Sequence, residues 1–386
     1  MKRAYATWPL LILAACILGS CTHKAVVIQS LTLFDGPHHQ EKRAQFKQLG
    51  DAITSVDAWH YDFGREPSPV TADLHAVTLA GDKAFAFGDG GTILARTHDG
   101  PWTQAPAPTA ERLRGAWRDV YAVGDRGTWL TGRDGNWRAE NTGVTDDLYA
   151  VTQVGPRAFA VGDHGVLIER AADGRFTRIE TRTQARLRSI WMSGEPPTGE
   201  IYLVGDGGTI IDCALAMSPP VCVPRASPTG ENLMQIIDAS PTTHAFRAAG
   251  AGMIKVLILG DGGSTLGATL GRMPPYDFRP IPLHFPARME RLLVSRGHGG
   301  PEGKIEVAGE RVFPPIVTVG AGGRGALLDA TRVVPFAISD VGDLHDLAGN
   351  ELEIFAVGDA GTLVHGGMRD AVEKIPIMYL LRQQPP

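Results

Sequence analysis

A chain of 386 residues, 43% of them hydrophobic, can bury two average cores or one large all-β core. Its formal net charge of −5 excludes nucleic acid as the main ligand, because gripping a phosphate backbone takes a basic surface. Gly 47 and Pro 27 call for frequent turns, while charged residues at 20% and aromatics at 7% exclude a chain disordered throughout.

In chain order, the first element is a leader. Lys2 and Arg3 precede an apolar run from Trp8 to Leu18, shorter than the about 20 residues that span a bilayer, which predicts a cleaved signal peptide over residues 1–20. The run ends in Leu18-Gly19-Ser20-Cys21, which resembles the bacterial lipoprotein box. That resemblance implies cleavage before Cys21 and a diacylglycerol on its sulfur, each buried CH₂ adding about 0.8 kcal/mol of membrane affinity. Thr22, where an Asp would retain the protein, is similar to the pattern of lipoproteins sorted to the outer membrane. The expectation is a lipid-anchored protein of the bacterial cell envelope, at the outer membrane, facing the periplasm or the cell surface. The plainer alternative is an ordinary secretory signal with an incidental cysteine.

Residues 21–70 follow as a lipidated tether, or contribute a strand such as Ile53 to Phe63 that closes the domain behind it. They hold His38-His39, a charged run from Glu41 to Lys47 and a Pro67-Ser68-Pro69 hinge. Only Glu41 to Ile53 carries a helical period.

From residue 71 to 386 a repeat sets the architecture. The pattern apolar-apolar-Gly-Asp-x-Gly-[Thr/Ser/Val] recurs at Gly88-Asp89, Gly124-Asp125, Gly162-Asp163, Gly205-Asp206, Gly260-Asp261 and Gly358-Asp359, with a degenerate seventh copy at Gly320-Ala321-Gly322-Gly323. Intervals of 36 to 60 residues match one four-stranded blade each. Inner strands are predicted to open at Leu74, Leu113, Leu148, Leu187, Leu233, Leu292 and Leu344. Short apolar runs punctuated by Gly, Asp or Pro are the all-β signature, so the fold expected is a seven-bladed β-propeller of four-stranded blades.

The repeated Gly-Asp predicts a tight hairpin between second and third strands, with Gly and Asp supplying φ > 0 and the Asp carboxylate taking amides ahead of it. On this reading Asp89, Asp125, Asp163, Asp206, Asp261 and Asp359 shape turns. The alternative, a ring of carboxylates holding calcium or a cationic ligand, needs oxygens converging within coordination distance, whereas neighbouring blade turns diverge. No metal and no cofactor is expected. A second element, Asp99-Gly100-Pro101-Trp102, Asp134-Gly135-Asn136-Trp137 and Asp173-Gly174-Arg175-Phe176, turns from third to fourth strand and puts an aromatic between blades.

Together these two motifs resemble the BNR or Asp-box propeller superfamily, and within it the photosystem II stability and assembly factor propellers of the hypothetical-chloroplast-frame-48 type. The resemblance runs from about Leu74 to Ile377 and is degraded in the fifth and sixth units. It implies a non-enzymatic scaffold; nothing in the residues indicates a photosynthetic client.

With Cys16 in the leader and Cys21 lipidated, Cys213 and Cys222 remain, as one disulfide in an oxidising compartment or as two buried thiols. The arginine-dense stretch from Leu113 to Arg188 is nearly offset by acids and reads as a solvated face. His75, His164 and His345 read as strand or turn residues.

Asp-box propellers include sialidases, so a glycan-active hydrolase or carbohydrate-binding propeller is the alternative function. Phe278-Arg279-Pro280-Ile281 is a scrambled Phe-Arg-Ile-Pro, and no ordered arginine and Tyr-Glu set accompanies it. Gly320, Gly322 and Gly325 satisfy G-x-G-x-x-G, but Pro335 leaves no room for a crossover helix. Ser264 lacks the closing glycine of a nucleophile elbow.

The units are lengthened in the first-to-second-strand connections of blades four, five and six, and in the third-to-fourth connection around Cys213 and Cys222. Both emerge on one side of the disc, where loops on a rigid scaffold carry function. A protein partner is expected there, touching Tyr276, Phe278, Arg296, His298 and Phe313; neutral loop drift is the competing account. The sequence sets no oligomeric state.

Overall fold

Seven times, an apolar residue opens a strand whose first backbone position pairs with the glycine ending the next strand. The pairs are Leu74 with Gly88, Leu113 with Gly124, Leu148 with Gly162, Leu187 with Gly205, Leu233 with Gly260, Met289 with Gly320 and Leu344 with Gly358. In this computed structural model the described residues are 62–97, 100–133, 135–193, 199–217, 219–239, 256–268, 278–281, 289–294, 305–307, 310–312, 316–328, 333–349 and 353–367.

Each pair grows into a four-stranded antiparallel sheet, giving seven blades. Blade one is Leu74–Ala80, Lys83–Gly88, Ile93–Thr97 and Thr103–Gln104; blade two is Leu113–Trp117, Tyr121–Gly124, Trp129–Arg133 and Asn136–Glu140. Blade three is Leu148–Val154, Arg157–Gly162, Leu167–Arg170 and Phe176–Ile179; blade four is Leu187–Ser193, Glu200–Gly205, Thr209–Ala214 and Val221–Arg225. Blade five is Leu233–Asp238, Val256–Gly260, Thr265–Ala268 and Phe278–Ile281; blade six is Met289–Val294, Ile316–Gly320, Arg324–Leu328 and Val333–Ala337. Blade seven takes Leu344–Gly349, Glu353–Gly358 and Leu363–Gly367 from one end of the propeller and its outermost strand, Asp62–Glu66, from the other. The ring is thus closed by main-chain hydrogen bonds between residues far apart in sequence. Separately, Ile305–Val307 and Glu310–Val312 pair as a two-stranded hairpin in a different compact unit.

Burial explains why the second strands read as nearly unbroken apolar runs. Ala84 to Gly88, Ile201 to Gly205 and Ile354 to Gly358 are buried at every position, because a neighbouring blade covers each face. The core therefore lies between blades. Phe85, Phe87 and Ile93 pack on Leu113, Ala122 and Leu130, and Tyr121, Val123 and Trp129 on Leu148, Ala158 and Ile168. Phe355, Val357 and Leu363 of blade seven pack on Leu74, Ala86 and Leu94 of blade one, completing the circle. The outer-strand aromatics reach into the preceding blade: Trp102 meets Phe355, Trp137 meets Phe85 and Phe87, and Phe176 meets Trp129.

Two expectations need correction. Blade six opens at Met289, not Leu292: the pairing with Gly320 begins three residues earlier, and methionine fills the leucine position. Positive φ falls not on the repeated aspartates but on the two residues after them, such as Arg126 (φ 54) and Gly127 (φ 70), except after Asp261, where Gly263 (φ 87) alone takes it.

Candidate functional site

The Gly-Asp turn is built by two close approaches. A Cβ on Gly124 would stand 1.9 Å from the carbonyl oxygen of Arg112, which accepts the Asp125 amide at 2.9 Å. A Cβ on Gly127 would stand 2.0 Å from the carbonyl oxygen of Val144 in the connection to blade three. One glycine therefore seats the turn within its blade, and the other seats it against the next.

Because the carbonyl of Asp125 takes the Thr128 amide that closes the turn, the Asp125 carboxylate is released for other partners. This corrects the expectation that the aspartates bond amides ahead of them. Asp89 Oδ1 accepts from Arg112 Nε at 2.5 Å and lies 2.7 Å from His75 Nε2. Asp125 accepts from Arg114, and Asp206 from Arg188. Asp163 accepts from Arg186 Nε at 2.6 Å and from the Tyr149 hydroxyl at 3.2 Å. Asp261 accepts from Asn232 Nδ2 at 2.8 Å, and Asp359 lies 2.7 Å from His345 Nε2.

Among the described residues, the one just before each inner strand links consecutive blades. Asp147 accepts the Arg126 amide at 2.9 Å, Asn232 the Gly207 amide at 3.1 Å, Asp343 the Gly322 amide at 2.8 Å, and Asp73 the Ala360 amide at 2.8 Å across the seam. Where that residue is arginine, at Arg112 and Arg186, it instead donates to the preceding turn's aspartate.

Two positions later, every inner strand carries a bulge. The register shifts after Leu74, Leu113, Leu148, Leu187, Leu233, Met289 and Leu344. The seven displaced residues are His75, Arg114, Tyr149, Arg188, Met234, Glu290 and His345. A bulge re-aims a side chain out of the ladder, and on the innermost strand of a propeller it does so at the mouth of the central channel. Neighbouring members meet there: the His75 and His345 rings lie 5.5 Å apart, and the Arg114 guanidinium lies 4.9 Å from the Tyr149 ring centre. Burial pushes the His75 imidazole below its usual range, outweighing the pull of Asp89. Burial resists ionisation of Asp89 too, but His75 and Arg112 together hold its carboxyl below the usual range.

Among the described residues, no acceptor takes the Nη1 nitrogens of Arg112, Arg114, Arg186 or Arg188. Each guanidinium is held through Nε, and Arg112 and Arg114 also donate Nη2 to Asp89 at 3.5 Å and to Asp147 at 3.4 Å, which orients the Nη1 end of each without occupying it.

Reading residue types alone placed this arginine-rich stretch on a solvated face and missed the arc. The available signal was positional: the residue following the inner-strand leucine is the same structural site in each repeat. Of the residues expected to meet a partner on the opposite side, Phe278 is only 7% exposed and packs with Leu266 and Ala268, so its ring faces the core. Tyr276, Arg296, His298 and Phe313 lie outside the described residues, as does Cys21. Cys213 and Cys222 pair directly across two strands of blade four, joined by a 2.08 Å S–S bond and buried. Among the described residues no group of three His, Cys, Asp or Glu side chains is placed to hold a metal ion, and no helix is long and apolar enough to cross a membrane.

No protein-family model matches the chain, and no curated protein does. Solved structures do match. The chain is similar to YCF48 bound to D1 peptide, with TM-score 0.55 and 12% identity over 79% of this chain and 94% of that one. YCF48 from Cyanidioschyzon merolae follows with TM-score 0.57 and 14% identity over 78% and 98%. Virginiamycin B lyase from Staphylococcus aureus gives TM-score 0.59 and 10% identity over 80% and 99%. At these identities the likeness establishes the β-propeller fold, which these structures use both for holding a peptide and for catalysis.

Proposed function

We propose that this protein is a membrane-anchored, extracytoplasmic binding scaffold, whose propeller takes a polypeptide segment across the Gly-Asp side of its channel. The observation that carries the docking face is the repeated bulge. In an unbroken arc from blade seven through blades one to four it presents His345, His75, Arg114, Tyr149 and Arg188. Guanidiniums held through Nε, with their Nη1 donors open, suit the carboxylates of an acidic peptide. Acids behind the arginines nearly cancel the local charge, so recognition rests on short-range, directed hydrogen bonds more than on long-range steering. That a protein of the same fold, YCF48, holds a D1 peptide supports a peptide as the ligand class.

The leader and Leu18-Gly19-Ser20-Cys21 support lipidation at Cys21 in a bacterial envelope, with the outer membrane as destination. Labelling with radioactive palmitate tests this: the wild type incorporates label and the Cys21→Ser variant does not.

A glycan-active reading has one observation in its favour, the convergence of Arg114, Arg186, Tyr149 and Asp163. One feature weighs against it: burial raises the phenol above its usual range, away from a nucleophile. The deciding experiment is a peptide array probed with the full-length chain, run beside a fluorogenic sialoside assay. Carboxylate-rich peptides should be retained, and Arg114→Ala with Arg188→Ala should weaken them by at least about tenfold. Sialoside turnover, or retention indifferent to both substitutions, would reverse the assignment.

A further inference from the structure

Arg114, Tyr149 and Arg186 come from three places: the bulge of blade two, the bulge of blade three, and the residue preceding blade four. The guanidinium carbons of Arg114 and Arg186 stand 4.9 and 4.8 Å from the Tyr149 ring centre. Cations over an aromatic face are attracted by its quadrupole, and a planar guanidinium stacks there where an ammonium does not. The phenol is tied down as well. It donates to Asp163 Oδ2 at 3.2 Å, while Asp163 Oδ1 accepts from Arg186 Nε at 2.6 Å, so ring, carboxylate and guanidinium close a triangle. Arg114 is held from behind by Asp125 and by Asp147, the latter at 3.4 Å. Even the backbone makes room: a Cβ on Gly115 would stand 2.4 Å from the Tyr149 carbonyl oxygen. Tyr149 is the only phenol among the seven bulged residues.

We propose that Tyr149 is a positioning residue, whose ring sets the spacing and tilt of the Arg114 and Arg186 guanidiniums so that the pair receives two neighbouring carboxylates of one acidic peptide segment. This rests on the peptide-binding reading of the channel mouth. A flexible arginine loses rotamer freedom when a ligand orders it; a stacked, Nε-bonded one has lost it already, so ligand bonds formed by the pair are not offset by that cost. Two guanidiniums at fixed spacing also discriminate between one carboxylate and two.

The test uses fluorescence anisotropy on the full-length chain in mild detergent. Its probes are labelled hexapeptides of glutamine carrying a central glutamate pair, a single glutamate, or none. The wild type should prefer the paired peptide over the single one by about tenfold. Tyr149→Phe, which keeps the ring, should stay within about twofold of wild type. Tyr149→Leu should reduce the preference to near unity. Arg114→Lys, which keeps the charge but not the stack, should do likewise and guards against misfolding of the leucine variant. If no glutamate peptide binds the wild type better than the glutamine control, the peptide-binding reading falls and this proposal with it. If paired glutamates are preferred, and Tyr149→Leu and Arg114→Lys leave that preference intact, the role of Tyr149 is overturned while the docking face stands.

Discussion

Glu66 and Arg96 tie the two ends of the circular array together. The Glu66 carboxylate, on the closing strand of blade seven, accepts from Arg96 Nη1 on the third strand of blade one and from Trp102 Nε1 at 2.7 Å. Arg96 is 7% exposed. Removing one partner of a buried, hydrogen-bonded pair costs about 3–5 kcal/mol. Glu66→Ala should therefore lower the unfolding free energy by about that much, measured with urea. The matching pair between blades two and three, Glu140 with Arg170 at 2.6 Å, provides a control. Only Glu66→Ala should also speed proteolysis near residues 62–66, because of the two pairs it alone lies at the seam. A loss below about 1 kcal/mol would mean strand pairing alone holds the ring.

At the channel mouth, His75 and Asp89 predict a decline in stability on acidification. His75 titrates below its ordinary range when folded, so the unfolded chain binds the proton first as pH falls; its contribution is present above the unfolded value and lost below it. Asp89, also held low, keeps its contribution until the pH drops through its own folded value. Both changes have the same sign, and the histidine acts first. Replacing His75 by Gln, which still donates to Asp89, should flatten the urea midpoint between neutral and mildly acidic pH. An unchanged slope would assign that dependence elsewhere.

The repeated turns give a paired prediction of opposite sign. Gly127→Ala sets a Cβ against the Val144 carbonyl at positive φ and should cost at least about 3 kcal/mol. Ala360 occupies the left-handed region at φ 51 where blades one, four and six have glycine. Ala360→Gly should raise stability by about 0.5–1 kcal/mol, read as a higher thermal midpoint. If Ala360→Gly destabilises, the side chain contributes packing that outweighs its strain.

Cys213 and Cys222 are nine residues apart, and closing so short a loop contributes about 2–3 kcal/mol. Unfolding in the presence of dithiothreitol should fall by that amount, and Cys213→Ala combined with Cys222→Ala should match it. Full-strength folding under reduction would show that packing of the two buried sulfurs suffices.

What the amino-acid order determined by itself is local. Gly-Asp-x-Gly announces its turns because each depends on a few consecutive backbone dihedrals, and the apolar runs announce strands because burial acts residue by residue. Seven such units stacked in a circle follow from repetition. The tertiary structure alone decided where long-range partners lie. Asp73 meets the Ala360 amide 287 positions away, and Val77 bonds Asp346 269 positions away. The strand completing blade seven precedes blade one, and Met289 replaces an expected leucine because register, not residue type, defines the position. An arginine in a charge-balanced stretch looks the same whether it faces solvent or a channel. Which carboxylate takes its Nε, and which ring lies under its plane, depends on how the next blade is packed against it.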